Sequence, residues 1–196
     1  MKKILKLTIF FYIVINILNL SLSSEDFFKK GLKLYNDKKY EDARFMFERS
    51  IVFNPKDSNS YLYLAKIYNI EEDKKKEEKN LEATLLIEPN NEEAKFIFER
   101  NIVYNPKDAK TYLYLAKIYN HQDDQRKEEN NLETALLIDP SNEEALLMSM
   151  KIALKKSNYS KVKTLSEIFI KVCNKLCDEN DQILESLKNI EPKNES

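Results

Sequence analysis

An all-α chain of about ten helices, laid down as antiparallel hairpins in a solenoid, is what three features of the sequence point to. Glycine occurs once, at Gly31, and proline five times in 196 residues, against a background rich in Lys, Glu, Leu and Ile. Helix breakers are scarce and helix formers common. Residues 41–94 align with residues 92–145 at a shift of 51 without gaps, and 36 of the 54 pairs are identical. Pro55, Pro89, Pro106 and Pro140 are separated by 34, 17 and 34 residues, which sets a unit of 17: one helix and its turn. The duplicated block holds three such units.

The N-terminus reads differently from the rest. Lys2, Lys3 and Lys6 precede the apolar run Ile9–Leu22, and Ser21-Leu22-Ser23 is a small-x-small cleavage pattern. This is the layout of a secretory signal peptide over residues 1–23, with an uncleaved N-terminal membrane anchor as the rival. Both readings carry the remainder out of the cytoplasm, to a secreted, periplasmic or cell-envelope location.

From residue 24 onward each helix is punctuated. Asp57, Asn91, Asp108 and Asn142 stand at helix starts, where a short polar side chain caps free N–H groups. Glu92-Glu93 and Glu143-Glu144 fill first turns, as the helix dipole favours. Each proline follows the apolar end of a helix that it cannot continue. With Ala43, Phe47 and Ile51, and Leu62, Ala65 and Tyr68, at helical spacing, helices are predicted near 25–37, 40–53, 58–70, 74–87, 92–104, 109–120, 125–138, 143–156, 159–176 and 180–190.

Composition excludes several classes of function. Thirty-two Lys and Arg against 33 Asp and Glu give a net charge of −1. A nucleic-acid partner is not implied by so balanced a chain. Loss of residues 1–23 removes three lysines and moves the charge to −4 (29 basic against 33 acidic). A single glycine builds neither a phosphate loop nor a dinucleotide fingerprint. His121 is the only histidine, beside Asp123 and Asp124 in a predicted turn, so multi-histidine metal sites are excluded. The run Glu71–Lys79 is a solvated, mixed-charge face. No serine or cysteine falls in a nucleophile motif. The chain therefore reads as non-enzymatic, without cofactor or metal.

The 34-residue pattern resembles that of tetratricopeptide repeats. In 24–57 it is carried by Phe27, Gly31, Leu34, Tyr40, Ala43, Phe47 and Pro55; in 58–91 by Tyr61, Leu64, Ala65, Tyr68, Leu81 and Pro89; in 109–142 by Tyr112, Leu115, Ala116, Tyr119, Leu132, Ala135 and Pro140. Glu77 and Glu128 replace a packing alanine. Residues 143–176 are degenerate, keeping Tyr159 and Val162, and residues 177–196 form a capping helix and tail. Residues 92–108 are a half unit, with the second-helix signature of Ala94, Phe98 and Pro106. Strict hairpin alternation puts that helix in a first-helix place and closes ten helices as five hairpins; the alternative is a break in the solenoid near residue 91.

The resemblance implies a right-handed superhelix and protein–protein binding, with a partner segment in a concave groove lined by first helices. The candidate binding residues are then Phe28, Tyr35, Leu62, Lys66 and Asn69, joined by Lys117 and Asn120 if the half unit leaves helix 109–120 on the groove side. Phe28 and Leu32 occupy the places where some members clamp a C-terminal carboxylate with Lys and Asn, so that clamp is not expected. A second reading is a self-associating envelope scaffold, a homo-oligomer formed through Leu146, Leu147, Met148 and Met150. Cys173 and Cys177, four apart outside the cytoplasm, suggest a disulfide, with free packing thiols as the alternative. On an intact helix that spacing needs a local distortion.

Overall fold

The computed structural model describes residues 23–190, and the signal-peptide or anchor reading of residues 1–23 lies outside them except for Ser23, which caps the first helix. Ten helices follow: α1 (Ser24–Asn36), α2 (Tyr40–Phe53), α3 (Ser58–Ile70), α4 (Lys74–Ile87), α5 (Glu92–Tyr104), α6 (Ala109–His121), α7 (Gln125–Ile138), α8 (Glu143–Lys155), α9 (Tyr159–Val172) and α10 (Cys177–Ile190). No strand occurs among the described residues. The chain divides into two compact units, the first ending at Glu88 with α1–α4 and the second beginning at Pro89 with α5–α10.

The turns alternate between two chemistries. Four of them hold a residue other than glycine at positive φ: Lys38 (59°), Glu72 (59°), Asp123 (56°) and Ser157 (56°). At each, two backbone bonds close the helix in a Schellman arrangement; Asp73 N donates to Tyr68 O (2.9 Å) and Glu72 N to Asn69 O (3.2 Å). These turns fold α1 on α2, α3 on α4, α6 on α7 and α8 on α9, the four most extensive helix pairings. Four others carry the prolines and asparagine or aspartate caps, and the ninth, between α9 and α10, carries neither. Asn91 Oδ1 accepts from Ala94 N (2.9 Å), and Asn142 Oδ1 from Ala145 N (3.0 Å).

This alternation corrects the expectation of five hairpins. Helix α5 is flanked by proline turns on both sides, at Pro89 and Pro106, and lacks the left-handed turn that closes a hairpin. It packs on α6 more lightly than hairpin partners do, much as α2 packs on α3. The half unit thus keeps the second-helix role written in its sequence, and α6–α7 is a hairpin of the same kind as α3–α4. The extensive pairings coincide with the left-handed turns and do not follow strict alternation along the chain.

Packing in the first unit centres on Ala43, Phe47, Leu64, Ile67 and Tyr68. Gly31 is needed there, since a Cβ on it would lie 2.8 Å from Phe47 Cε1. In the second unit, Leu113, Ala116, Leu132, Ala135, Ala145 and Ile152 form one cluster. Leu146, Leu147, Met150, Ala153, Val162, Phe169, Ile183 and Leu187 form another, which seats α10. The predicted ninth and tenth helices meet differently from expectation. Helix α9 stops at Val172, not at residue 176, and α10 begins at Cys177. A disulfide joins Cys173 to Cys177 across a Cα–Cα distance of 5.5 Å. Cys173 takes extended backbone angles (φ −62°, ψ 138°), which is the distortion the pairing needs. The Glu143 carboxylate accepts from the N–H groups of Asn174, Lys175 and Leu176 at 2.9, 3.0 and 3.1 Å. These bonds pull its pKa below the ordinary glutamate value.

Candidate partner-binding site

In the first unit, α1 and α3 bring their aromatic residues into one surface. Phe28 meets Tyr63 edge-on (centroids 5.8 Å), and Tyr35 meets Tyr63 edge-on (5.1 Å). Tyr35 also packs against Tyr40 (5.5 Å). Beneath them lies Phe47, stacked on Tyr63 at 5.2 Å and tilted against Phe28 at 5.7 Å. The rings of Phe28, Tyr35 and Tyr63 are half-buried, and the Lys66 ammonium stands 4.2 Å over the Tyr63 centroid. Three of the residues singled out from the sequence, Phe28, Tyr35 and Lys66, therefore belong to one surface. Its centre, Tyr63, was not singled out; the aromatic step at three residues before Lys66, repeated as Tyr114 before Lys117, is the signal that marks it.

The other candidates have internal employment. Leu62 is 2% exposed and presents no surface to a partner. Its position in α3 points to packing between neighbouring helices, as its twin Leu113 does in the core of the second unit. Asn69 Nδ2 donates to Glu77 Oε1 at 2.9 Å, and Asn120 Nδ2 donates to Glu128 Oε1 at 2.8 Å. Each asparagine satisfies a carboxylate that stands where the repeat pattern has alanine. Lys117 pairs with Glu144 (2.8 Å) and lies 5.1 Å over the Tyr114 ring. Tyr114 in turn stacks on Phe98 of α5 at 5.0 Å. Of the apolar residues considered for self-association, Leu146, Leu147 and Met150 are core, and only Met148 is partly exposed.

The two glutamates differ in their electrostatics. Glu77 is 1% exposed, and its second oxygen takes an ion pair from Lys74 Nζ at 2.8 Å. Glu128 is 4% exposed. Burial pushes its carboxyl above the ordinary glutamate value, opposed by the Asn120 hydrogen bond and the Lys155 charge. It borders a polar cavity of about 230 Å³ between the α6–α7 turn and the end of α8. Tyr119, in the tyrosine slot of the repeat, is pushed up to about 12 by burial and by its hydrogen bond to Glu99. Among the described residues, no group of three His, Cys, Asp or Glu is arranged to hold a metal ion.

Helix hairpins at 34-residue spacing, with small and aromatic residues packed at the repeat positions, occur in both units. The fold is a tetratricopeptide-type helix-hairpin repeat. Solved structures similar to it include a thermophilic TPR protein of Thermus thermophilus (16% identity, 85% of this chain and 100% of that one, TM-score 0.44). Another is PilF of Pseudomonas aeruginosa (13% identity, 86% and 92%, TM-score 0.42). A third is YrrB, described as a TPR protein with an unusual peptide-binding site (12% identity, 89% and 97%, TM-score 0.42). No protein-family model matches the chain, and no curated protein does.

Proposed function

We propose that the chain is a non-enzymatic adaptor that holds an extended segment of a partner protein outside the cytoplasm. The segment lies along the α1–α3 side of the first unit, the first-helix side that lines the concave groove in tetratricopeptide repeats. The observation that carries this reading is the half-buried surface of Phe28, Tyr35 and Tyr63 with Lys66 over the Tyr63 ring. Rings held by their neighbours offer contact area with little rotamer freedom left to lose on binding. The Lys66 cation favours an acidic side chain or a terminal carboxylate in the partner. The extracytoplasmic location rests on the basic-then-apolar pattern of residues 1–23.

The test compares the full chain with a Tyr35→Ala, Lys66→Glu double variant as baits in an envelope extract, with equal helicity checked by circular dichroism. A partner retained by the parent and bound at least about ten-fold more weakly by the variant, about 1.4 kcal/mol, supports the reading. Equal retention moves the site off this surface. Recovery of the chain alone favours self-assembly. N-terminal sequencing of the native protein reads the location: a start at Ser24 reports export and cleavage.

A further inference from the structure

The duplication built the same buried carboxylate twice and kept its counter-ion once. Position for position at the shift of 51, Asn69, Lys74 and Glu77 become Asn120, Gln125 and Glu128. In the first unit one oxygen of Glu77 accepts from Asn69 and the other takes the Lys74 ammonium. In the second unit the asparagine bond is kept, at 2.8 Å to Oε1. The ammonium is gone, because residue 125 is a neutral glutamine. No hydrogen bond or ion pair reaches Glu128 Oε2 among the described residues, although the side chain is 4% exposed. That oxygen is not fully enclosed: it opens onto the cavity, where a cation entering from outside can reach it.

The geometry points to the cavity beside Glu128 as a binding site for a primary alkylammonium group supplied from outside the chain, the lysine side chain of a protein partner. Lys74 shows what the carboxylate takes, since its ammonium stands 2.8 Å from the equivalent oxygen in the first unit. The cavity, about 230 Å³, has room for it. Ile152 provides an apolar wall for the stem, and Asp123 in the lining adds negative charge. Two lysines share the rim. Lys156 is engaged with Glu129, so its charge is balanced. Lys155 is exposed and makes no ion pair among the described residues; it is the internal competitor for Oε2. The inference deepens the adaptor reading, and only the source of the ammonium rests on that reading.

The experiment uses the full 196-residue chain in a mild detergent, with the Asn120 side-chain amide followed by NMR. The probes are n-butylammonium, spermidine, and a short neutral peptide carrying one lysine beside its norleucine twin. The expected result is a saturable shift of the Asn120 amide with n-butylammonium. Gln125→Lys, which fills the site from within as Lys74 does, weakens that binding at least ten-fold. Lys155→Met strengthens binding by removing the competitor. Gln125 and Lys155 are both exposed, so neither change threatens the fold, and circular dichroism verifies this. Absence of a saturable shift in the parent, or unchanged binding in Gln125→Lys, overturns the site. Tighter binding of the lysine peptide than of its norleucine twin supports a partner lysine. Binding of n-butylammonium and spermidine but not of the lysine peptide overturns the partner assignment and leaves a free amine as the ligand. Failure of the adaptor reading, with no partner captured on the α1–α3 surface, leaves n-butylammonium binding intact.

Discussion

Gly31 is the position where a single atom decides packing. The pattern marks it as a small-residue slot, and the structure shows how tight the slot is: an added Cβ would meet Phe47 Cε1 at 2.8 Å and Cδ1 at 2.9 Å. Phe47 is itself fully buried and carries Tyr63 and Phe28 above it, so the ring has nowhere cheap to go. Gly31→Ala gains helix propensity of about 1 kcal/mol but overpacks the core by about 1–3 kcal/mol. The expected outcome is a net loss of about 1 kcal/mol in urea unfolding, with weaker partner capture because Phe47 supports the aromatic surface. A gain in stability would mean that Phe47 relaxes freely. Glu77 and Glu128 show the limit of reading single residues. Each stands out as a departure from the alanine of the pattern, but its bond to an asparagine eight residues earlier becomes visible only when the turn folds the two helices together. The asparagines looked like groove residues because an exposed donor and a committed one have the same letter.

At the level of helices and turns, most boundaries follow from local chemistry. Caps, first-turn acids and prolines act within a few residues of themselves, so α2, α3, α4, α5 and α7 begin and end where the pattern places them. The end of α9 was misplaced because a covalent bond between Cys173 and Cys177, and three N–H groups held by Glu143 from another helix, override the local pattern. The hairpin turns hold a testable strain. Glu72 is exposed at φ 59°, a left-handed conformation costing a residue with a Cβ on the order of 1 kcal/mol that glycine does not incur. Glu72→Gly is expected to raise stability by about 0.5–1 kcal/mol, read from the urea midpoint, despite the greater freedom of glycine in the unfolded chain. A fall of the same size would show that the turn is held by the Arg44–Glu71 contact and its neighbours, not limited by φ.

Across the molecule, stability in a repeat chain is built from neighbour to neighbour. The C-terminal core gathers α8, α9 and α10 around Phe169, which is fully buried with Leu147, Val162 and Leu187. Phe169→Ala is expected to cost about 3–5 kcal/mol. Amide hydrogen exchange should accelerate through α8–α10, whereas α1 and α2, in the other compact unit, keep their protection. Uniform acceleration along the chain would show that the two units unfold as one.

The repeat length, helix type, caps and most helix ends were legible from residue order, because they depend on spacing, propensity and turn chemistry that act over a few residues. The placement of Phe28, Tyr35 and Lys66 on one surface was legible as well, through the repeat pattern. Three matters depend on groups distant in the chain and came only from the folded arrangement. They are the pairing of α6 with α7 and not with α5, the engagement of Asn69 and Asn120 with buried glutamates, and the loop that ends α9. The physical reason is common to all three: a side chain's partner is set by which helices pack together, and a carboxylate or an amide finds its role only after burial has removed water as the alternative.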